Sequence, residues 1–250
     1  MRSAAKELVA LNPDVIVAHS IGPAIGLVHE TSTIPIVFTT VSDPNASGLV
    51  ESIARPKRNV TGFTNMDPTI GPKWLEILKE IAPNIKRVAV IFNPATSPIA
   101  IPFSRSLESA AERFFVEVVA TPVHMPEGIE TALKLLGREP GGGLILPPDV
   151  FAATHRKLIM DLADRYKLPA AYPYRYFVDD GGLLSYGSDP VEFMRQAAIY
   201  VDRILRGAVP SELPVQAPTK FELVINLKTA KALGLTVPPT LLAIADDLIE

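Results

Sequence analysis

The stretch Arg87-Val88-Ala89-Val90-Ile91-Phe92 is apolar after its first residue, and the polar loop Asn93-Pro94-Ala95-Thr96-Ser97 follows it directly. A short unbroken apolar run of this kind is typical of a parallel strand that is buried on both faces. Residues 98–114 then predict a helix. The order of strand, loop and helix predicts one βα unit of an α/β protein.

The same order repeats on both sides of this unit. Further predicted strands cover residues 15–18, 34–39, 60–63, 116–120, 143–146, 168–172, 182–186 and 221–226. Further predicted helices cover residues 4–11, 23–30, 48–53, 71–82, 126–138, 151–166, 190–206 and 227–233. The helix over 71–82 is amphipathic, with Trp74, Leu75, Leu78 and Ile81 on one face. Alternation of this kind predicts parallel sheets with helices on both faces.

The composition agrees with a globular α/β protein and excludes several classes of function. The 250 residues divide into two βα series near 83–86, which predicts two lobes. A net charge of -3 argues against a nucleic-acid-binding surface, which needs clustered Lys and Arg. The chain has no cysteine, so thiolate zinc sites, thiol nucleophiles and disulfides are excluded. No apolar run reaches the roughly 20 residues that span a bilayer.

Polar loops follow most of the predicted strands. In doubly wound sheets, ligands bind beyond the carboxyl ends of the strands, and helix N-termini there can donate N–H groups to an anion. Each polar residue also has a purely local interpretation as a cap or turn former, especially in Asp43-Pro44 and Asp189-Pro190. The aromatic run 172–177 is equally compatible with core packing.

Motifs for catalysis are absent from the sequence. No glycine-rich phosphate loop follows a strand, and Gly141-Gly142-Gly143 precedes one, which indicates a turn. The four histidines show no metal-ligand spacing. We therefore expect no catalytic residue, no metal and no cofactor, and a protein that binds its ligand without changing it.

Five stretches together carry a resemblance to a known family. They are Asp14-Val15-Ile16-Val17-Ala18-His19-Ser20, Ile34-Pro35-Ile36-Val37-Phe38, Asn59-Val60-Thr61-Gly62-Phe63-Thr64, Gly181-Gly182-Leu183-Leu184-Ser185-Tyr186-Gly187 and Pro218-Thr219-Lys220-Phe221-Glu222-Leu223-Val224-Ile225-Asn226. In this combination and order, the chain resembles ABC-transporter substrate-binding proteins of the tryptophan/tyrosine-binding-like family, which have the type I periplasmic binding fold.

The resemblance implies two Rossmann-like lobes with parallel sheets, joined by hinge crossovers near 83–87, 177–184 and 215–221. The first lobe is then expected at 1–85 and 183–214, and the second at 86–182 and 215–250. It implies a periplasmic or extracytoplasmic protein that closes on a small solute in the interlobe cleft and delivers it to ABC permease membrane subunits. Aromatic amino acids and aromatic or phenolic acids are the ligands that it implies.

We expect the ligand contacts at the loops that follow the strands. The candidate residues are Ser20, Thr40, Asp43, Thr64, Asn93, Ser97, Asp149, Phe151, Tyr172, Arg175 and, at a crossover, Tyr186. Arg175 and helix N-terminal amides would hold a carboxylate, and Asp149 or Asp43 would receive an amine or hydroxyl. The rings of Phe151, Tyr172 and Tyr186 would flank an aromatic group.

The chain departs from the family pattern at its start. Family members begin with an export signal and a strand, helix and strand before the stretch 14–20, and we find neither here. We therefore expect a first lobe that is truncated at its N-terminus. Unpaired sheet edges would follow, with lower stability or association with another chain.

Two other functions remain open from the residues alone. An isomerase or hydrolase could act in the cleft, which would require two acid–base groups that face each other. His19 and Asp149 within hydrogen-bond reach of one another would favour this function. The effector-sensing core of a regulator shares the same fold class, although no DNA-binding segment is present.

Overall fold

The computed structural model describes residues 2–56 and 58–250. The strands in chain order are β1 (Ile16–His19), β2 (Ile36–Val41), β3 (Val60–Thr64), β4 (Arg87–Phe92), β5 (Glu117–Pro122), β6 (Gly142–Ile145), β7 (Ala170–Tyr172), β8 (Leu184–Gly187), β9 (Glu222–Asn226) and β10 (Asp247–Ile249). The helices are α1 (Arg2–Ala10), α2 (Ile21–Glu30), α3 (Gly71–Ile81), α4 (Ala100–Ala111), α5 (Pro126–Leu136), α6 (Val150–Thr154), α7 (Arg156–Arg165), α8 (Arg175–Asp179), α9 (Pro190–Leu205), α10 (Leu227–Ala232) and α11 (Pro239–Ile244). The alternation confirms the predicted α/β class.

The chain divides into two compact units. Unit 1 comprises Met1–Asp67 and Asp189–Lys220, and unit 2 comprises Pro68–Ser188 and Phe221–Glu250. Two segments that the sequence placed in the first lobe therefore belong to unit 2. Helix α3 packs its apolar face there against α4, and β8 pairs with β7 and β9. Residues 215–220, expected in the second lobe, belong to unit 1, where Val215 is buried in the core.

Unit 1 is built on a three-stranded parallel sheet in the order β1-β2-β3. Because successive side chains of a strand point to opposite faces, each face has its own core. Ile36 and Phe38 pack on one face with α1 and α2, whereas Val37 packs on the other with α9. Strand β1 lies at an edge of this sheet, and its residues alternate between buried and exposed.

Unit 2 is built on a seven-stranded sheet in the order β10-β9-β8-β7-β6-β4-β5. All neighbours are parallel except β8 and β9, which run antiparallel. The predicted apolar face of α3 is confirmed, since Trp74 is fully buried and meets the ring of Phe103 edge-on at 5.4 Å. The parallel order brings the loops after β4 and β6 to one edge of the sheet, because β4 and β6 are neighbours.

Local structure differs from the prediction in five places. Residues 48–53 form turns and bends where a helix was expected, because Gly48 adopts a positive φ of 71° and the Pro44 carbonyl accepts the amides of Leu49 and Val50. The helix expected over 151–166 is broken at His155, which has φ -100° and ψ 17°. Helices α8 and α11 and strand β10 were not predicted, since elements of three to six residues carry no clear periodicity.

Candidate functional site

Two candidate residues at the carboxyl ends of neighbouring strands in unit 1 have strained backbones. Ser20, after β1, has φ 73° and ψ 167°, and Thr40, near the end of β2, has φ 58°. The first combination is essentially restricted to glycine, and the second is disfavoured for a β-branched residue. Such conformations cost about 1–3 kcal/mol each and concentrate at binding sites. The sequence named both residues by position, and the structure adds this independent sign of function.

The hydroxyls of Ser20 and Thr40 form no local hydrogen bonds. Ser20 occupies the N-cap position of α2, yet its side chain makes no capping hydrogen bond. The Thr40 hydroxyl is buried and has no hydrogen-bond partner among the residues that the structure describes. A helix N-terminus without a side-chain cap keeps N–H donors for an anion. Unit 1 thus presents two hydroxyls beside a helix N-terminus.

The other two candidates in unit 1 are bonded to the chain itself. The Asp43 carboxylate accepts the Ala46 amide at 2.9 Å, which stabilises the turn that begins there. The Thr64 hydroxyl donates to the Gln216 carbonyl at 3.3 Å. Asp43 therefore has the local turn role that the alternative interpretation anticipated, whereas Thr64 bonds to a segment 152 residues away.

A contact that the sequence did not predict lies beside Ser20. His19 Nδ1 is 3.2 Å from the buried Thr39 hydroxyl, which donates to Met194 Sδ at 4.0 Å. Burial lowers the pKa of His19 from its ordinary value, so its imidazole is mainly neutral at pH 7. Met194 comes from α9, far along the chain, and no local pattern could have predicted this contact.

The Asp149 carboxylate hydrogen-bonds to two neighbouring segments at the carboxyl ends of strands in unit 2. Its Oδ2 accepts the Asn93 amide at 2.7 Å, and its Oδ1 accepts the Phe151 amide at 2.9 Å. The Thr96 hydroxyl also donates to Oδ1. One buried carboxylate therefore joins the loop after β4 to the N-terminus of α6. Thr96 was not a candidate, because a partner 53 residues away is not visible in sequence spacing.

The predicted residues Asn93, Ser97, Asp149 and Phe151 do come together at this edge of the sheet. Their polar side chains, however, bond to the protein itself. The Ser97 hydroxyl donates to the Pro148 carbonyl at 2.7 Å, and Asn93 Oδ1 accepts the Ala95 amide at 2.9 Å. With both oxygens of Asp149 accepting internal bonds, the expected role of Asp149 as an amine acceptor loses its basis.

Two further expectations for unit 2 change with the structure. Tyr172 is 1% exposed and stacks on Phe177 at 5.0 Å within the hydrophobic core, so its ring cannot flank a ligand. Burial correspondingly raises the pKa of Tyr172.

Arg175 binds Asp247 at 2.6 Å and Asp179 at 3.4 Å. The bond to Arg175 lowers the pKa of Asp247, so a carboxylate of the chain already occupies the expected clamp.

Phe151 and Tyr186 are the candidate aromatic residues that keep exposed ring surface. Both are partly buried. The Phe151 ring meets His155 at 4.6 Å, and the Tyr186 ring stacks on Phe221 at 5.8 Å. Each ring is thus held in place by one aromatic neighbour while part of its surface stays open.

The described residues contain neither a cluster of metal ligands nor a membrane-spanning helix. Within residues 2–56 and 58–250, no group of three or more His, Asp or Glu side chains could hold a metal ion. None of the helices in these ranges is both long and apolar enough to cross a bilayer.

The strain at Ser20 gives a first testable prediction. Ser20→Gly should raise the free energy of unfolding by about 1 kcal/mol, because glycine adopts this backbone conformation without strain. The gain should appear as a higher denaturation midpoint in urea. Ser47→Gly, in an ordinary turn, serves as the control and should be neutral or destabilising. A destabilised Ser20→Gly variant would show that the backbone here is not strained.

Comparisons with known proteins agree with this architecture. A curated tyrosine-binding protein of Clostridioides difficile (strain R20291) is 28% identical over 235 residues, which cover 94% of this chain and 67% of that protein. A conserved domain protein from Vibrio cholerae has a crystal structure that matches with a TM-score of 0.90 at 32% identity, covering 99% of this chain and 82% of the other. An ABC domain from Streptococcus pneumonia, solved in complex with L-Trp, matches with a TM-score of 0.91 at 24% identity, covering 99% and 85%.

The family assignment follows from a match along nearly the whole chain. The family model described as ABC transporter substrate binding protein matches residues 1–249. The crystal structures that match nearly the whole chain share its α/β architecture. The chain belongs to the family of ABC transporter substrate binding proteins.

Proposed function

We propose that this chain is the solute-binding component of an ABC importer and captures an aromatic amino acid, or a related small aromatic carboxylate, without changing it chemically. The observation that carries the proposal is the pair of strained, polar strand ends at Ser20 and Thr40 beside the uncapped N-terminus of α2. The ligand class is supported by the similarity to a tyrosine-binding protein.

In unit 1, the carboxylate of the ligand is assigned to the Ser20 hydroxyl and the first amides of α2. Hydrogen bonds to a charged group contribute about 1.5–3 kcal/mol each, and the helix dipole favours an anion at this end. The buried Thr40 hydroxyl, which lacks a partner among the described residues, is a second donor or acceptor for the ligand. A bound ligand would satisfy a hydroxyl whose burial is otherwise unfavourable.

Unit 2 by itself offers the open ring surfaces of Phe151 and Tyr186 to an aromatic group. Stacked or edge-on aromatic pairs contribute about 0.5–1.5 kcal/mol beyond the area they bury. The carboxylate is not assigned to Arg175, because Asp247 and Asp179 already bind its guanidinium group. Asp149 serves as the support that holds the loop of Phe151 in place.

Titration calorimetry of the chain with L-Tyr, L-Trp, a phenolic acid and L-Leu tests this function. We expect binding of at least one aromatic acid and weaker binding of L-Leu. Ser20→Ala should weaken the binding about tenfold or more, because one hydrogen bond to the carboxylate is lost. Arg175→Ala is the matched control and should change the affinity less than twofold. No binding of any aromatic acid would overturn the proposal. A tenfold loss of affinity in Arg175→Ala but not in Ser20→Ala would show that Arg175 binds the ligand carboxylate.

The importer role adds a location and a partner to the proposal. We place the protein outside the cytoplasm, in the periplasm or its equivalent, where it passes the solute to ABC permease membrane subunits. Uptake of labelled L-Tyr or L-Trp into proteoliposomes that hold the cognate permease should depend on this protein. Uptake that is equally fast without it would exclude the importer role while leaving ligand binding intact.

A further inference from the structure

Three side chains of unit 1, those of His19, Thr39 and Met194, contact one another in sequence. His19 and Thr39 are register partners on β1 and β2, so their side chains lie on the same face of the sheet. His19 Nδ1 is 3.2 Å from the hydroxyl of Thr39, a fully buried residue. The Thr39 hydroxyl lies 4.0 Å from Met194 Sδ on α9. One ring nitrogen of His19 is therefore bound within the fold of unit 1.

The hydrogens available to these three side chains favour one tautomer of His19. Partial burial lowers the pKa of His19, so the ring is mainly neutral at pH 7 and carries one N–H group. The Thr39 hydroxyl has a single hydrogen, and the thioether of Met194 can only accept one. If Thr39 donates to Met194, His19 donates from Nδ1 and two hydrogen bonds form. If Thr39 donates to Nδ1, only one forms, so the contacts favour the Nδ1–H tautomer.

The second ring nitrogen of His19 faces away from Thr39. The two nitrogens of an imidazole point in nearly opposite directions, and the His19 side chain keeps exposed surface whereas Thr39 is buried. Within residues 2–56 and 58–250, Nε2 of His19 makes no hydrogen bond. In the Nδ1–H tautomer, Nε2 carries no hydrogen and accepts a bond from an N–H or O–H group. His19 thus offers one hydrogen-bond acceptor at the carboxyl end of β1.

This acceptor lies beside the residue to which the ligand carboxylate is assigned. His19 directly precedes Ser20, and the Ser20 amide donates to the Thr39 carbonyl at 2.9 Å. Thr39 therefore contacts both residues and holds them together. In an α-amino acid, the ammonium and carboxylate groups are attached to the same carbon atom. The group that binds the ammonium must for that reason lie close to the group that binds the carboxylate, and His19 does.

Two carboxylates were expected to receive a ligand amine, and both already bond to the chain. Asp149 accepts hydrogen bonds through both of its oxygens within unit 2. Asp43 accepts the Ala46 amide through Oδ1, which holds the turn that begins there. Its second oxygen makes Asp43 the rival of His19 in unit 1, and variants of the two residues separate them.

We propose that His19 Nε2 accepts a hydrogen bond from the α-ammonium group of the ligand, and that Thr39 and Met194 are positioning residues that fix the Nδ1–H tautomer. The inference rests on the proposed function and narrows its ligand class from aromatic carboxylates to aromatic amino acids. A ligand without the amino group leaves Nε2 without a donor, so the chain should discriminate against it. The expected preference is about tenfold or more, as for other hydrogen bonds to a charged group.

Titration calorimetry with L-Tyr and with desaminotyrosine, which lacks only the amino group, tests the proposal. We expect the chain to bind L-Tyr about tenfold or more tightly than desaminotyrosine. His19→Phe should abolish this preference by weakening L-Tyr alone, because the variant keeps an aromatic ring but loses the acceptor. His29→Phe is the matched control, since His29 is an exposed histidine in the last turn of α2, and both affinities should stay unchanged. The pair L-Trp and indolepropionate repeats the test for a site that prefers indole.

The outcomes separate the role of His19 from the proposed function. Equal affinities for the two acids, or a His19→Phe variant that weakens both equally, would overturn the role of His19 and leave the proposed function intact. A preference that Asp43→Asn removes and His19→Phe keeps would assign the ammonium group to Asp43 instead. Binding of neither acid would overturn the proposed function, and this inference with it.

Nitrogen-15 NMR of the histidine rings tests the tautomer without a ligand. We expect His19 of the free chain to carry its hydrogen on Nδ1 at neutral pH. Thr39→Val removes the acceptor of this hydrogen, so the ring should shift toward the Nε2–H tautomer and the preference for L-Tyr should fall. Thr39→Ser keeps the hydroxyl and should preserve both. A free chain whose His19 carries its hydrogen on Nε2 would contradict the proposed role of Thr39 and Met194.

Discussion

Asp149→Ala is expected to lower the free energy of unfolding of unit 2 by about 3–5 kcal/mol. Three donors lose their acceptor at once: the Asn93 amide, the Phe151 amide and the Thr96 hydroxyl. The loss of an N-cap costs about 1 kcal/mol, and each buried donor left without a partner costs about 1–3 kcal/mol. The lost bonds are also the ones that hold the loop of Phe151.

Urea denaturation that is followed by tryptophan fluorescence measures this effect in unit 2. Trp74 is the single tryptophan of the chain, and it is buried in that unit. Asp189→Ala is the matched control, because Asp189 also caps a helix, accepting the Val191 amide at 2.8 Å, but makes that bond at an exposed position. The free energy of unfolding of this control, measured by circular dichroism, should fall by about 1 kcal/mol. Equal losses in the two variants would show that the additional bonds of Asp149 add no stability.

Gly187→Ala is expected to destabilise unit 2 by more than about 4 kcal/mol or to prevent its folding. A Cβ atom at this position would lie 1.9 Å from the Pro173 carbonyl oxygen, which is backbone and cannot rotate away. Relief of the clash would require β8 to separate from the loop that follows β7. The same substitution would also disturb Tyr186, the neighbouring candidate for contact with the ligand.

The matched control for Gly187→Ala is the same substitution in a helix of the same unit. A Cβ at Gly128 in α5 would meet its nearest neighbours at 3.5 Å, which is ordinary contact. Gly128→Ala should therefore stabilise the unit by about 0.5–1 kcal/mol through helix propensity. The two variants should move the tryptophan-monitored midpoint in opposite directions. A Gly187→Ala variant with an unchanged midpoint would contradict the steric argument.

The candidate site shows where prediction from the sequence stops. Ser20 and Thr40 were chosen because they follow predicted strands, and the structure gives each an unusual backbone and a hydroxyl without a local bond. Asp149 was chosen by the same rule, yet its oxygens bond to the chain. Position along the sequence ranks these residues equally, because it does not show which hydrogen bonds form across the fold.

Tyr172 and Arg175 illustrate the same limit with larger side chains. The side chain of a tyrosine at a strand end points either to the core or to the edge of the sheet. Tyr172 points to the core, where its ring stacks on Phe177. Arg175 was expected to hold a ligand carboxylate, but Asp247 of the unpredicted strand β10 takes that place. A short terminal strand has no recognisable pattern, so its effect on Arg175 was not foreseeable.

The amino-acid sequence by itself determined the α/β class, the positions of most strands and longer helices, and the family. These features depend on hydrophobic periodicity, caps and turns, which act over a few residues. Only the tertiary structure decided where the two units divide and which polar strand ends remain for a ligand. The physical reason is that each of these depends on contacts between distant segments, such as Thr39 with Met194 and Thr96 with Asp149.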